Sequence, residues 1–424
     1  MIRIYKYDEV SDSELFGRTE PTAQVAEPVA AILREVRARG DGAVLEYTAR
    51  FDGCQLTRLA VTPEEMAEAF DAVEPEFLAV LERAAENIRA FHSAQVRQSL
   101  VLTPQSGVVL GQKLTPIEAV GLYVPGGTAA YPSTVLMDAI PAKIAGCSRI
   151  VMATPPGADG KIAPAILAAA KIAGVTDIYK MCGAQAVAAM AYGTESVPKV
   201  DKIVGPGNAY VAEAKRQVFG MVAIDMIAGP SEILVLADGK SDPKHAAADL
   251  LSQAEHDRNA SAVLVTDSLD FARAVQVELE RQLALLPRQE IARASIEANG
   301  KLIVAPDLTV GVEIANRLAP EHLELMVDDP FAWLDSIRNA GSIFMGRSCP
   351  EALGDYLAGP NHTLPTSGTA RFSSPLSVDD FIKKSQFVYY TPEALAAVAD
   401  DVALFARKEG LEAHARSAVV RKET

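Results

Sequence analysis

The sequence contains few of the residues that build covalent or thiolate-based scaffolds. Its 424 residues include only four cysteines, which lie far apart and form no Cys-X-X-Cys pair. A disulfide framework and a thiolate-bound zinc site are therefore both disfavoured. Long apolar runs are missing too, since none approaches the roughly 18 residues that span a bilayer. The first residues, MIRIYKYDEV, carry charges where a signal peptide has an apolar core. We therefore expect a cytoplasmic protein.

Positive charge is also scarce relative to negative charge. The chain has 40 lysines and arginines against 55 aspartates and glutamates, which gives a net charge of −15. Because an acidic surface repels phosphate backbones and anionic lipids, neither nucleic acid nor a membrane is expected as the main partner. The apolar fraction of 49% is ordinary for a globular protein. At about 150 residues per domain, the length predicts two or three domains.

The pattern of apolar residues changes near residue 120. The first hundred residues have helical spacing, and residues 62–65 (Thr-Pro-Glu-Glu) are typical of a helix start. From about Val120, short apolar runs alternate with helical stretches of 10–15 residues, which predicts βαβ units and a largely parallel sheet. The strands are too many for one small sheet, so we expect two α/β domains with a break near Gly229 and Pro230. Residues 392–415 are predicted to be helical again.

Three glycine-containing turns follow predicted strands, at 126–127, 183–185 and 205–208. At the carboxyl ends of parallel strands, such turns bring backbone N–H groups close to a bound phosphate. None of them completes the Gly-X-Gly-X-X-Gly pattern of dinucleotide-binding proteins. Ordinary tight turns are therefore an equally good interpretation of each turn taken alone.

Polar residues of two kinds suggest catalytic or ligand-binding chemistry. Asp249, Gln253 and His256 share one face of a predicted helix, although a solvated helix face would show the same pattern. Glu321 and His322 follow Pro320, which predicts the first turn of a helix. A carboxylate beside an imidazole suits general acid–base catalysis near neutral pH, and the alternative is a capping glutamate with an exposed histidine.

Further candidate residues lie in the last quarter of the chain. Asp355 and His362 occur in segments rich in glycine and proline, which favours function over packing. Glu409 and His414 are about 140° apart on a helix, so they cannot face one ligand unless the helix ends or bends between them. Nitrogen and oxygen donors of this kind suit zinc, but the spacing does not establish that they meet. The candidate donors are Gln253, His256, Asp355 and His414.

Seven stretches carry a resemblance to a known family, and they run in order from residue 120 to residue 414. They are VGLYVPGGTAAYPSTVLM (120–137), GAQAVAAMAYGTESVPKVDKIVGPGNAYVAEAKRQV (183–218), AIDMIAGPSEILVLAD (223–238), DLLSQAEHD (249–257), APEHLEL (319–325), GDYLAGPNHTLPT (354–366) and EGLEAH (409–414). In these stretches the chain resembles the histidinol dehydrogenase family. The first hundred residues match that family only in general character.

The pattern and the resemblance together predict an α/β fold. We expect two Rossmann-like, doubly wound parallel-sheet domains with smaller helical segments at the N- and C-termini. Residues 121–230 are assigned to the cofactor-binding domain, and residues 21–120 with 231–365 to the domain that carries the metal and catalytic residues. Residues 1–20 and 366–424 are assigned to small helical segments that take part in dimerisation.

The resemblance implies a role for each candidate residue. It implies zinc bound by Gln253, His256, Asp355 and His414, a general-base pair formed by Glu321 and His322, and NAD contacts from Tyr123, Gln185 and Asn208. Substrate contacts are implied for Ser231 and Glu409, together with His322 and the four zinc ligands. The family forms an interlocked homodimer, in which the residues matching Glu409 and His414 come from the other subunit.

The implied reaction is a four-electron oxidation of L-histidinol through L-histidinaldehyde to L-histidine, the last steps of histidine biosynthesis. His322 is suited to accept the alcohol proton, so rates are expected to rise with pH through the neutral range. Glu321 is suited to activate water if burial raises its pKa. Two alternatives remain open from the residues alone: a related zinc- and NAD-dependent dehydrogenase of another small polar alcohol, and a non-catalytic nucleotide- or metal-binding protein.

Overall fold

The computed structural model describes residues 2–18, 25–126 and 130–422. Gly127, half of one predicted turn, lies outside these ranges. The strands are β1 (Arg3–Lys6), β2 (Leu100–Gln105), β3 (Val108–Pro116), β4 (Ala119–Tyr123), β5 (Arg149–Thr154), β6 (Asp177–Lys180), β7 (Lys202–Val204), β8 (Ala223–Ile224), β9 (Glu232–Ala237), β10 (Ser261–Thr266), β11 (Lys301–Val304), β12 (His322–Met326), β13 (Ser342–Met345) and β14 (Ile382–Tyr390).

The helices lie mainly between these strands, as the alternating pattern predicts. They are α1 (Asp12–Phe16), α2 (Ala26–Arg39), α3 (Asp41–Phe51), α4 (Pro63–Asp71), α5 (Pro75–Ser93), α6 (Pro132–Ala145), α7 (Pro164–Ala173), α8 (Gly183–Tyr192), α9 (Ala209–Val218), α10 (Pro243–Ala254), α11 (Leu269–Leu283), α12 (Gln289–Asn299), α13 (Leu308–Leu318), α14 (Phe331–Leu334), α15 (Glu351–Tyr356), α16 (Pro392–Lys408) and α17 (Glu412–Val419). Within the described ranges, no helix is long and apolar enough to cross a membrane.

The larger sheet has six parallel strands in the order β1-β11-β10-β9-β12-β13. Successive side chains of a strand point to opposite faces, and β9 follows this rule. Its Val235 packs in one core with α10, α11 and α12, whereas Leu236 packs in a second core with α13. Helices therefore cover both faces, and the order of the strands reverses beside β9. This is the doubly wound arrangement that the alternating pattern predicts.

The second parallel sheet has five strands in the order β6-β5-β4-β7-β8. One face packs with α6 and α7, and the other with α8 and α9. The N-terminal helices complete these layers, because α4 and α5 join the first core and α2 and α3 join the second. The expected grouping of residues 21–120 with 231–365 differs from this packing. Apolar faces such as those of α2 and α5 cover the five-stranded sheet instead.

The chain termini also differ in detail from the expected small helical segments. Residues 3–6 form the strand β1, which extends the six-stranded sheet by parallel pairing with β11. Near the other terminus, β14 pairs with β3 in a three-stranded antiparallel sheet completed by β2. Helices α16 and α17 follow this sheet and pack against each other. The predicted helical character is thus confirmed for 392–415 but not for residues 3–6.

Candidate active site

Glu321 and His322 lie at the amino-terminal edge of the six-stranded sheet. The predicted helix start at these residues is wrong, because His322 is the first residue of β12. Helix α13 ends before them at Ala319, which has a left-handed backbone conformation with φ of 48°. The following apolar residues then pair in parallel with both β9 and β13. A strand buried between two neighbours places both side chains at a fixed edge of the sheet.

The His322 ring is held in one orientation inside the protein. It is 4% exposed, and its Nδ1 lies 3.1 Å from the carbonyl oxygen of Glu232. Since a carbonyl only accepts hydrogen bonds, Nδ1 carries the proton and Nε2 has a free electron pair. Nε2 is buried and has no hydrogen-bond partner. Burial lowers the pKa of His322 to about 4, so the ring is a neutral base at neutral pH.

The Glu321 carboxyl is buried next to this ring. Its Oε2 accepts a hydrogen bond of 2.9 Å from the backbone N–H of Glu232 and lies 3.7 Å from His322 Nδ1. Burial raises the pKa of Glu321 well above its ordinary value, and the charges of Glu232, Asp355 and Glu351 raise it further, against the hydrogen bond from the Glu232 amide. This direction meets the condition under which Glu321 is suited to activate water.

Asp355 lies beside His322 at the same edge of the sheet. Among the described residues, possible metal-ligand atoms of His322, Glu351 and Asp355 lie within 4.8 Å of one another. His362 Nδ1 is 3.5 Å from the Asp355 carboxylate and donates to its carbonyl oxygen at 3.2 Å. Although burial raises the pKa of Asp355, the hydrogen bond and charge of His362 hold it well below its ordinary range. Asp355 is therefore a carboxylate at neutral pH.

Glu351 was missed by the sequence analysis. It begins α15, its Oε1 is 3.7 Å from His322 Nε2, and its Oε2 accepts a hydrogen bond of 3.0 Å from the Ser252 hydroxyl. Burial raises its pKa to about 8. One signal in the sequence could have identified it, because residues four apart on a helix share a face and Glu351 is four residues before Asp355.

Gln253 and His256 approach this region from α10. Gln253 is 1% exposed, and its Oε1 has no hydrogen-bond partner. His256 lies two residues beyond the end of the helix, at the surface, and interacts electrostatically with Asp355 and His362. An unpartnered buried amide oxygen, a nearby imidazole and a carboxylate are nitrogen and oxygen donors without sulfur. This donor set fits a borderline divalent cation such as zinc.

The predicted cofactor residues lie at the carboxyl edge of the five-stranded sheet. The Tyr123 hydroxyl accepts a hydrogen bond of 3.1 Å from the N–H of Gly183, the first residue of α8. Gln185 is 1% exposed, and its Nε2 has no hydrogen-bond partner. Asn208 Oδ1 caps α9 through the N–H groups of residues 210 and 211. Gly205 brings this last turn against Tyr123, since a Cβ atom at Gly205 would collide with the Tyr123 carbonyl oxygen.

A cleft of about 810 Å³ opens beside these turns. It lies at the carboxyl ends of β4, β5 and β6, and its wall includes Gly126, Thr154, Pro155 and Lys180. Lys180 is paired with Glu65 of α4 across one side of the cleft. Open parallel sheets bind ligands at this edge. The cleft is therefore at the edge of the sheet where parallel-sheet proteins bind ligands, and Gly126 of the first glycine-containing turn lies in its wall.

Comparisons with known proteins identify the family. A family model described as histidinol dehydrogenase matches residues 17–422. The chain belongs to the histidinol dehydrogenase family. It is 56% identical to the histidinol dehydrogenase of Syntrophotalea carbinolica over 428 aligned residues, 99% of each chain. It is 57% identical to that of Geobacillus kaustophilus over 402 residues, 95% of each. The crystal structure of the Elizabethkingia anophelis histidinol dehydrogenase matches with a TM-score of 0.95 at 38% identity, covering 100% of this chain and 98% of that one.

In this member of the histidinol dehydrogenase family, Glu409 and His414 lie outside the group formed by His322, Glu351 and Asp355. Helix α16 ends at Lys408, Gly410 follows with φ of 78°, and α17 begins at Glu412. The helix therefore ends between Glu409 and His414, which removes the 140° conflict. Both residues are exposed on a helical pair that packs against itself. Within the described part of one chain, His414 is outside the group formed by His322, Glu351 and Asp355.

Ser231, the remaining predicted substrate contact, immediately precedes β9. It is half-buried, and its carbonyl oxygen accepts a hydrogen bond of 2.9 Å from the N–H of Ser261 at the start of β10. Its parallel neighbour β12 begins at His322. Ser231 is therefore at the same amino-terminal edge of the sheet as Glu321 and His322, which is consistent with its predicted role.

Proposed function

We propose that the protein oxidises L-histidinol to L-histidine in two NAD-dependent steps, through L-histidinaldehyde. The observation that carries this proposal is the pair formed by Glu321 and His322. Both are buried, and both are hydrogen-bonded to the same residue, Glu232. Two adjacent proton acceptors at one site suit a reaction that removes a proton from an alcohol and then from a water molecule. We expect the reaction to take place in the cytoplasm.

The first step needs a base for the alcohol proton. His322 is neutral, since burial lowers its pKa to about 4, and its unpartnered Nε2 is the acceptor. The Glu232 carbonyl holds Nδ1–H at 3.1 Å, which orients Nε2 and stabilises the imidazolium that forms. As the O–H bond gives its proton to Nε2, the carbon–oxygen double bond of the aldehyde forms and the carbon loses its hydrogen as a hydride, for which NAD would be the acceptor.

The second step needs a base for water. Glu321 takes one proton from the water whose oxygen attacks the aldehyde carbon, and the imidazolium of His322 returns its proton to the carbonyl oxygen, which gives the hydrated aldehyde. A hydroxyl of the hydrate then gives its proton to His322 as the carbon loses a second hydride, which leaves the carboxylic acid. A carboxyl with a raised pKa is a stronger base than an ordinary carboxylate once it has lost its proton. The Glu232 amide, at 2.9 Å, fixes its Oε2. Burial of both residues also excludes bulk water from the site.

We assign the NAD site to the carboxyl edge of the five-stranded sheet. Tyr123, Gln185 and Asn208 lie in or beside the turns there, and the cleft of about 810 Å³ opens at the same edge, with Gly126 in its wall. The unpartnered amide of Gln185 is free to contact a ligand. When bound there, NAD accepts one hydride in each oxidation. We assign substrate binding to the site at the amino-terminal edge of the six-stranded sheet, through Ser231, the zinc ligands and Glu409 of the partner subunit.

We assign the metal site to zinc, held by Gln253, His256, Asp355 and the partner subunit's His414. Zinc bound there would supply a Lewis acid able to hold the imidazole and amine of the substrate, which would distinguish histidinol from other amino alcohols. Exposed apolar side chains support a homodimer. Val388 and Tyr389 of β14 and Phe405 of α16 are 69%, 57% and 69% exposed. Such surfaces are typical of interaction sites.

The stoichiometry of NADH formation tests this function. Purified protein is incubated with limiting L-histidinol and excess NAD, and NADH is measured by its absorbance. We expect two NADH per histidinol, because both oxidations use one site. A ratio of one with free aldehyde, or a faster reaction with another small amino alcohol, would contradict the proposal.

A further inference from the structure

A charged residue, Glu232, lies next to the proposed catalytic pair of Glu321 and His322. Glu232 is the first residue of β9, and its peptide groups bind both partners: the N–H donates to Glu321 and the C=O accepts from His322. The orientation of both side chains therefore depends on the position of one residue. Anything that fixes the backbone of Glu232 fixes the pair.

The side chain of Glu232 is itself held by an ion pair with Arg18, whose side chain is 33% exposed. Arg18 Nε lies 2.9 Å from its Oε1, and Arg18 Nη2 lies 3.1 Å from its Oε2. Such a two-point contact between guanidinium and carboxylate fixes geometry as well as charge. The Glu232 side chain is 11% exposed. Backbone groups of Ser367 and Gly368 also hydrogen-bond to its carboxylate.

Arg18 also contacts the segment that leads into β12, the strand that begins at His322. Its Nη2 donates to the carbonyl oxygen of Leu318, the last residue of α13 and only three residues before Glu321. A Cβ atom at Gly368 would collide with the Arg18 guanidinium, so this group is enclosed on that side too. One guanidinium thus connects the start of β9 with the segment that leads into β12.

We propose that Arg18 and Glu232 are positioning residues for the oxidation, because they hold the peptide to which Glu321 and His322 are hydrogen-bonded. This inference rests on the proposed function. The alternative is an ion pair that only stabilises the fold. The two differ in what they predict for correctly folded, zinc-loaded protein: a positioning pair changes kcat, whereas a purely structural pair does not.

The test compares Arg18→Met with the wild-type protein and with Arg34→Met. Arg34 forms a comparable ion pair with Glu27 at 2.9 Å, but both side chains are exposed. We expect Arg18→Met to lower kcat by about ten- to a hundredfold, since small displacements of catalytic groups have effects of this size. The KM for NAD should stay unchanged, because the cofactor residues belong to the other sheet. Arg34→Met should behave as wild type.

A double variant gives the sharper readout. Arg18→Met leaves the Glu232 carboxylate buried without its counter-charge, whereas Arg18→Met combined with Glu232→Gln leaves a neutral amide that still accepts hydrogen bonds. We expect the double variant to recover part of the lost kcat. If Arg18→Met proves insoluble, the single variant Glu232→Gln tests the positioning role instead. We expect the kcat of Glu232→Gln to fall while its zinc content and secondary structure are retained.

Two results would overturn the inference that Arg18 and Glu232 position the catalytic pair. Wild-type kcat in folded Arg18→Met or Glu232→Gln would overturn the inference. A loss of kcat that merely follows the loss of folded or zinc-loaded protein, measured by circular dichroism and elemental analysis, would also overturn it. If the wild-type protein itself does not oxidise histidinol, the proposed function fails instead, so the two failures are distinguishable.

Discussion

At the scale of single residues, burial decides which protonation state Glu321 and His322 favour. Burial disfavours the charged form of both, so it raises the pKa of the carboxyl and lowers the pKa of the imidazole. A pKa of about 4 leaves the His322 ring neutral through the neutral range, so the structure gives no reason for the rate to rise there through loss of a proton from His322. A rise of the rate with pH is instead expected from Glu321, whose pKa burial raises well above its ordinary value, because this carboxyl acts as a base only after it loses its proton.

Glu321→Gln should separate the two half-reactions. The amide can still accept the hydrogen bond from the Glu232 N–H but cannot take a proton from water. Aldehyde oxidation should slow by about 10²- to 10⁴-fold, and alcohol oxidation much less. The rise of the aldehyde rate with pH should also disappear. Initial rates measured separately from histidinol and from histidinaldehyde check this, and an equal loss in both would remove Glu321 from its assigned role.

His256→Ala should weaken zinc binding without changing the fold. His256 is at the surface beyond α10, so little packing is lost, whereas one donor is removed. We expect binding to weaken by about tenfold or more, since even outer partners of metal ligands have effects of this size. His245→Ala is the matched control, because His245 is exposed on the same helix. Elemental analysis after dialysis gives zinc per chain, and equal retention in both variants would exclude His256 as a ligand.

At the scale of elements, the sequence predicts features set by neighbouring residues better than features set by pairing with distant segments. The capping box at Thr62 is confirmed, since its hydroxyl accepts from Glu65 N–H and the Glu65 side chain reaches back to Thr62 N–H. The helix predicted at Glu321 and His322 is wrong, because proline and a polar pair are compatible with either a helix or a strand start. Parallel pairing with β9 and β13 makes this segment a strand. The local sequence pattern carries no information about those two neighbouring strands.

Gly205→Ala should disrupt the turn at residues 205–208, which we assign to the NAD site. Gly205 has φ of 112°, and its Cβ would collide with the Tyr123 carbonyl oxygen. Gly220→Ala is the matched control, since Gly220 has φ of 96° but no atom within 4 Å of its Cβ position. Backbone strain alone should lower the free energy of unfolding of Gly220→Ala by about 1–3 kcal/mol.

Gly205→Ala should lose more stability than its control and should also show a KM for NAD raised several-fold. Denaturant unfolding and steady-state kinetics measure the two effects. An unchanged KM in folded Gly205→Ala would separate this turn from the NAD site. A raised KM in Gly220→Ala would show that strain alone, rather than the contact with Tyr123, accounts for the effect.

At the scale of the whole molecule, the sequence predicts the two sheets but not how the remaining segments associate with them. The apolar faces of α2 to α5 show that these helices are covered, but they contain no signal for which sheet covers them. The same holds for β14, whose partner β3 lies far away in the chain. The assignment of His414 to the zinc site likewise comes from the family resemblance. In one chain, α17 packs on α16 and leaves His414 exposed.

Mixed dimers test whether the site is shared between subunits. If His256 and His414 of one zinc site come from different subunits, a twofold dimer has two identical composite sites. Homodimers of His256→Ala, or of His414→Ala, lack one ligand at both sites and should be nearly inactive. In a hybrid of the two variants, one composite site carries both substitutions and the other carries neither. The hybrid therefore regains one complete site.

Random co-assembly of the two variants makes about half of the dimers hybrid, so activity should recover to roughly a quarter of wild type. Co-expression with two different affinity tags allows the hybrid to be isolated, and the pure hybrid should then have about half of wild-type activity for the same reason. If each site were built within one chain, every site in every mixture would keep one substitution, and no recovery would be possible. Isolated hybrid dimers with no more activity than either parent would therefore refute the shared site, and the exposed positions of Glu409 and His414 would then need another explanation.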